Sequence, residues 1–177
     1  MVYFFKKIEK QEEKIKEYQN WTKPSNPIVI SGNQKEKSNN SEIIKRGDVY
    51  YARTHSDFLN QVFARGNIPM RTAGWKYAPN ILVWMVRFSG ERGGFSNRII
   101  DENRLVECYV GKSGEWRGKP VQEEPEEEYR IVVMVEDCTY TRKYIIKGLY
   151  KFNRLESSLY KRVFNKVADE ITVYKKN

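Results

Sequence analysis

Between Lys45 and Arg98 the chain carries nine Lys or Arg against three Asp or Glu, and seven of the nine are arginine. A guanidinium is a flat fork that grips a phosphate or a base edge with two parallel hydrogen bonds, whereas an ammonium is a hydrated point charge. Trp75 and Tyr77 flank Lys76 in the same stretch, and Phe95 follows. Basic charge interleaved with aromatic rings suits a surface that neutralises a nucleic-acid backbone and stacks its bases. The residues that carry this reading are Arg53, Arg65, Arg71, Trp75, Lys76, Tyr77, Arg92 and Arg98. The expected partner is nucleic acid, RNA or DNA, in a strand state that these residues leave open.

His55 is the single histidine, so it alone has an ordinary pKa near neutrality. It stands at a strand-to-helix junction, two residues after Arg53. In an enzyme acting on nucleic acid, a ribonuclease or a transferase, His55 would be the catalytic base and Arg53 would hold the anionic substrate. A hydrogen-bonded helix cap is the structural alternative for the same histidine. A third reading is an interaction protein whose basic face meets an acidic protein partner. No cofactor is implied, and one His with two Cys is too few for a structural zinc site. The Asp101-Glu102 pair lacks the further spaced carboxylate of a nuclease metal site and reads as a turn.

Three short stretches resemble parts of known families. Lys45-Arg-Gly-Asp-Val-Tyr-Tyr-Ala52 resembles the opening strand of the MazF/PemK toxin ribonucleases, which fold as small barrels. Those toxins continue with an Arg-Pro strand bearing the catalytic arginine, and this chain has no Arg-Pro pair, so a turn entering an edge strand is preferred. Tyr109-Val-Gly-Lys-Ser113 resembles the second half of the GIY-YIG nuclease signature, with Arg117 placed as its arginine. The first half is missing, and a strand ending in a turn is again preferred. The run from Thr54 to Gly66 resembles the strand and helix that open the nicotinamide pocket of ADP-ribosyltransferases, without a placeable later glutamate.

The 177 residues, 40% hydrophobic and 14% aromatic with a net charge of +9, fit one domain with appendages. Residues 3 to 19 read as a thin-striped helix, giving a charged N-terminal segment over 1–21. A polar linker follows over 22–42, interrupted only by Ile28 to Ile30. The domain proper spans 43–177. Strands are expected at Asp48–Arg53, Ile81–Phe88, Leu105–Val110, Arg130–Val135 and Lys143–Phe152. Ser56 is expected to cap a short helix through Ala64, Asn67–Asn80 to be a long loop, and Gly90–Ser96 a turn. Ser157–Glu170 is read as a helix from the spacing of Leu159, Val163, Val167 and Ile171. The sum is an α+β fold, a curled or barrel-like mixed sheet with two or three helices.

Apolar runs are too short to span a bilayer, so no membrane partner is expected. The first residues carry charge after the apolar part, which disfavours a secretory signal. The expected setting is cytoplasmic, with Cys108 and Cys138 reduced and buried. Glu123 to Glu128 is an acidic run broken by Pro125, read as a solvated loop or a cover for the basic face.

Overall fold

The computed structural model describes residues 28–29, 41–64, 74–88, 91–92, 95–109, 127–158 and 161–175. The helix expected over 3–19 and most of the linker lie outside these residues. The described chain runs β1 (Ile28–Val29), β2 (Ser41–Lys45), β3 (Val49–Ala52), α1 (His55–Val62), β4 (Gly74–Ala78) and β5 (Ile81–Val86). It continues through β6 (Glu91–Arg92), β7 (Phe95–Asp101), β8 (Arg104–Tyr109) and β9 (Tyr129–Asp137). The last strands are β10 (Arg142–Ser158), β11 (Lys161–Ala168) and β12 (Glu170–Tyr174).

Nine strands form one open mixed sheet in the order β4-β5-β9-β10-β11-β8-β7-β6, with β3 on the first part of β10. Only β5 and β9 pair in parallel within it. A smaller sheet, β1-β12-β2, holds Ile28–Val29 parallel to β12 and so ties part of the expected linker to the domain. The described residues contain one helix, and β4 and β6 end the sheet without pairing to each other. This corrects the expected barrel-like sheet with two or three helices: the fold is open and mostly strand.

One expected helix and one expected loop are strands, for plain causes. The segment read as a helix from Ser157 is the end of β10 and all of β11. A spacing of four residues satisfies the strand period of two as well as the helical one, so Val163 and Val167 share a face in either structure. Pairing with β10 and β8 on the two sides decides for the strand. The expected loop before Asn80 contains β4, in which Trp75 and Tyr77 alternate with Lys76 in the same way.

The helix that remains starts two residues before the expected start, capped by Thr54 in place of Ser56. Thr54 Oγ1 accepts from the Asp57 amide at 3.1 Å, and Asp57 Oδ2 accepts from the Thr54 amide at 3.0 Å. This reciprocal box satisfies two donors that a helix start leaves open. Its apolar side chains Phe58, Leu59 and Val62 are buried against the large sheet.

Alternation divides the large sheet into two buried faces. Ile81, Val83 and Met85 of β5 join Ile131, Val133 and Val135 of β9 beneath α1, β2 and β12. Trp84 and Val86 point the other way, with Val132, Tyr150, Leu105 and Phe164. The near-continuous apolar run of β5 therefore serves two cores, as expected from its sequence.

β10 is the strand that bends the sheet. It spans 17 residues, and its register with β9 slips between Ile146 and Gly148. An inserted residue of this kind kinks and twists a strand. Gly148 has φ +116°, and a Cβ there would lie 2.6 Å from the Ala168 carbonyl oxygen. Backbone of the paired strand cannot step aside. Gly148→Ala is expected to destabilise the fold by ~2 kcal/mol or more, from left-handed strain plus the clash. Urea unfolding of the variant checks this, and an unchanged midpoint would refute it.

Candidate nucleic-acid interface

The end of the sheet where β3, β5 and β9 finish and β10 begins gathers charged side chains. Parallel β5 and β9 bring Arg87 beside Asp137, and Arg142 faces both Asp137 and Ala52 in register. Arg87 makes a two-pronged contact to Asp137, Nε to Oδ2 at 3.1 Å and NH2 to Oδ1 at 2.6 Å. Arg142 Nε lies 3.6 Å from the same carboxylate. Arg53 is exposed on the connection from β3 to α1 and makes no ion pair among the described residues. Arg87 and Arg142 went unmarked as a pair because only the β5–β9–β10 pairing makes them neighbours.

His55 is half-buried on the first turn of α1. Its Nδ1 lies 3.0 Å from the Tyr144 hydroxyl, and the two rings meet edge to face at 5.7 Å. Tyr144 in turn stacks flat on Phe58 with centroids 4.3 Å apart. Burial pushes the Tyr144 phenol up from its ordinary value, while a hydrogen bond with Arg142 opposes the shift. The phenol therefore stays protonated across the neutral range and can share its proton with the imidazole. His55 thus stands as a packed, hydrogen-bonded member of the strand-end cluster. The cap role named for it falls to Thr54.

The other site residues are dispersed. Arg65 and Arg71 lie outside the described residues, and of Arg92 only the backbone, in β6, is described. Trp75 is half-buried, packed against the core with its ring 6.0 Å from that of Tyr77. Lys76 projects from the opposite face of β4 and pairs with Glu127 at 3.3 Å. Tyr77 is 1% exposed and belongs to the core, which corrects its assignment to a binding surface. Arg98 is exposed on β7, at the far end of the strand order from β4, with Nε 3.4 Å from Ser96 Oγ. Arg53 and His55 come together, and the β4 and β7 groups do not join them along the sheet.

Tertiary pairing also changes the charge reading. Lys45 meets Glu170 at 2.9 Å, Arg46 lies 3.8 Å from Asp169, and Lys76 and Arg87 have Glu127 and Asp137. Four of the nine basic residues between 45 and 98 thus face acids supplied by β9, β12 and their approaches. The Asp101 carboxylate serves a turn, accepting from the Asn103 amide at 2.9 Å and pairing with Arg104 at 3.3 Å. Among the described residues no three His, Cys, Asp or Glu stand together as metal ligands. Cys108 is half-buried and Cys138 exposed, both free, which corrects the expectation that both thiols are buried. Glu127 and Glu128 end the acidic run in ion pairs with Lys76 and Lys151, and the rest of the run is outside the described residues. No helix among the described residues is long and apolar enough to cross a membrane.

A second constellation carries a charge that the sequence reading passed over. Arg130, 5% exposed, lies on the β9 face shared with Trp84 and Phe164. Its guanidinium carbon is 4.5 Å from the Trp84 ring centre and 4.3 Å from that of Phe164. The signal was a charged residue in phase with apolar Val132, in a strand buried on both faces.

The sequence matches no protein-family profile and no curated protein. Among solved structures, the fold is similar to that of the 5-hydroxymethylcytosine-specific restriction enzyme AbaSI, with a TM-score of 0.60 at 20% identity. The likeness covers 76% of this chain and 44% of that enzyme, so this chain spans under half of its length. At that identity the two share a fold.

The Tyr77 hydroxyl donates to the Tyr174 carbonyl at 3.1 Å and accepts from the Tyr174 amide at 2.8 Å, pinning the end of β12. Tyr77→Phe keeps the ring and strands both backbone groups, for an expected loss of about 1–3 kcal/mol in chemical denaturation. A binding-surface role for Tyr77 would instead leave stability unchanged and weaken ligand binding.

Proposed function

We propose that this chain is a nucleic-acid-binding domain whose ligand is DNA. The observation that carries the reading is the fold shared with a restriction enzyme over three-quarters of the chain. The net charge of +9 supports it, since a polyanion is the partner such a charge favours. The strand-end cluster is the contact we assign: Arg53 is exposed there, and Arg142 and Arg87 share the single carboxylate of Asp137. Two guanidinium groups on one carboxylate leave a positive surplus that a phosphate would meet. Exposed Arg98 on β7 is a further phosphate contact in this reading.

The domain binds rather than cleaves in this proposal. His55 is committed to Tyr144 and packed beside Phe58, which suits a scaffold for the arginines better than a base free to reach a substrate. The neighbour's stated specificity sets the modified base to test, 5-hydroxymethylcytosine.

The test is a fluorescence-anisotropy titration of duplex DNA, single-stranded DNA and duplex RNA, each at several salt concentrations. The DNA duplexes are made with cytosine and with 5-hydroxymethylcytosine. Duplex DNA is expected to bind best, with log K falling against log salt at a slope of roughly −4, equivalent to four or five phosphates. Arg53→Gln should reduce the steepness by about one unit without changing the melting temperature. A flat salt dependence, or no binding at low salt, would reject the proposal.

A further inference from the structure

Arg130 reaches a carboxylate that a flat sheet would hold out of range. Its NH1 lies 3.3 Å from Glu107 Oε2, yet β9 and β8 are three strand steps apart, about 14 Å sideways in an unbent sheet. The bend at β10 closes that gap and makes this face concave. Arg162 of β11 brings its NH1 to the same Glu107 oxygen, also at 3.3 Å. Two guanidinium groups therefore share one carboxylate. The other acid acting on Arg130 is Glu127, and it is already paired with Lys76 at 3.3 Å. Three cations stand against two carboxylates, an excess of one positive charge.

The centre of this set is buried, with the Arg130 side chain 6% and that of Glu107 11% exposed, while Arg162 at 24% and Lys76 at 52% lie toward solvent. The Nε atoms of Arg130 and Arg162 are both buried and have no hydrogen-bond partner. Ring faces of Trp84 and Phe164 attract a cation, but they supply no acceptor lone pair. Buried donors and buried charge are both costly until an acceptor and a counter-charge arrive. Each missing partner is of the same kind, an anionic oxygen.

We propose that this concave face is a binding site for an oxyanion of phosphate type, held by Arg130 and Arg162 with Glu107 fixing their forks. It lies on the opposite face of the sheet from α1, so it is separate from the strand-end cluster and stands whether or not that cluster binds DNA. The phosphate could belong to a free nucleotide or to a nucleic-acid backbone. The shared chemistry is two guanidinium groups on one phosphate, which favours bidentate contact.

The test uses the full chain at fixed ionic strength, with inorganic phosphate replacing chloride, and reads thermal melting and tryptophan fluorescence. Saturating phosphate is expected to raise the melting temperature by roughly 5 °C. Trp84→Phe should retain that rise and lose the fluorescence change. Arg162→Gln removes the surplus charge, so without phosphate it should melt at or above the wild-type temperature and gain nothing when phosphate is added. Arg53→Gln should keep the full gain. Replacing inorganic phosphate by deoxycytidine 5′-monophosphate or by a short duplex distinguishes the sources: the form that gives the Arg162-dependent rise at the lowest concentration is the natural one. No phosphate effect on the wild type overturns the proposal, as does a rise that survives Arg162→Gln. If Arg162→Gln also melts lower, the triad is structural alone.

Discussion

The bend of β10 at Gly148 is the constraint from which the rest of this molecule follows. A 17-residue strand in a regular sheet would run straight and leave each face broad and shallow. The inserted residue and left-handed backbone at Gly148 turn it, and the Ala168 carbonyl sits so close that no side chain fits. The first part of β10 then carries β3 and the α1 side of the core, and the second part carries β11. Because the same bend draws β8 toward β9, it sets the Arg130–Glu107–Arg162 cluster as well.

Two opposite uses of arginine result. On the concave face, burial pulls the Arg130 guanidinium below its ordinary value while Glu107 works to restore it, and the aromatic walls replace water. At the strand ends, Arg53 is open to solvent and Arg87 and Arg142 compete for Asp137. An exposed charge of the second kind contributes little to stability and much to steering a polyanion. The buried kind costs stability unless fully compensated, so its presence points to chemistry that the apolar core alone does not need. The two clusters lie on different parts of one sheet and can be separated by mutation.

Several strands were legible because their signal is local. The double-faced apolar runs of β5 and β9 and the turn at Lys45–Asp48 each predict their own conformation. The helix content was misjudged where a four-residue spacing fits both periods, as at Val163 and Val167. The loop expected around Trp75 failed for a related reason: Pro79 and Asn80 mark the turn after a strand, and Trp75 and Tyr77 form the inward face of that strand.

By itself the sequence determined the charge excess, the core-forming apolar runs and a nucleic-acid-directed reading of the arginines. These depend on residue types and near neighbours, which need no folded chain. Only the tertiary structure decided which charges remain. Glu170, Asp169, Glu127 and Asp137 come from far along the chain to meet Lys45, Arg46, Lys76 and Arg87, so a local imbalance of nine to three is not a surface imbalance of that size. It likewise decided that Tyr77 is inside and that Arg130 shares Glu107 with Arg162. Strand pairing joins residues tens of positions apart, and electrostatic energy follows distance in space rather than distance along the chain.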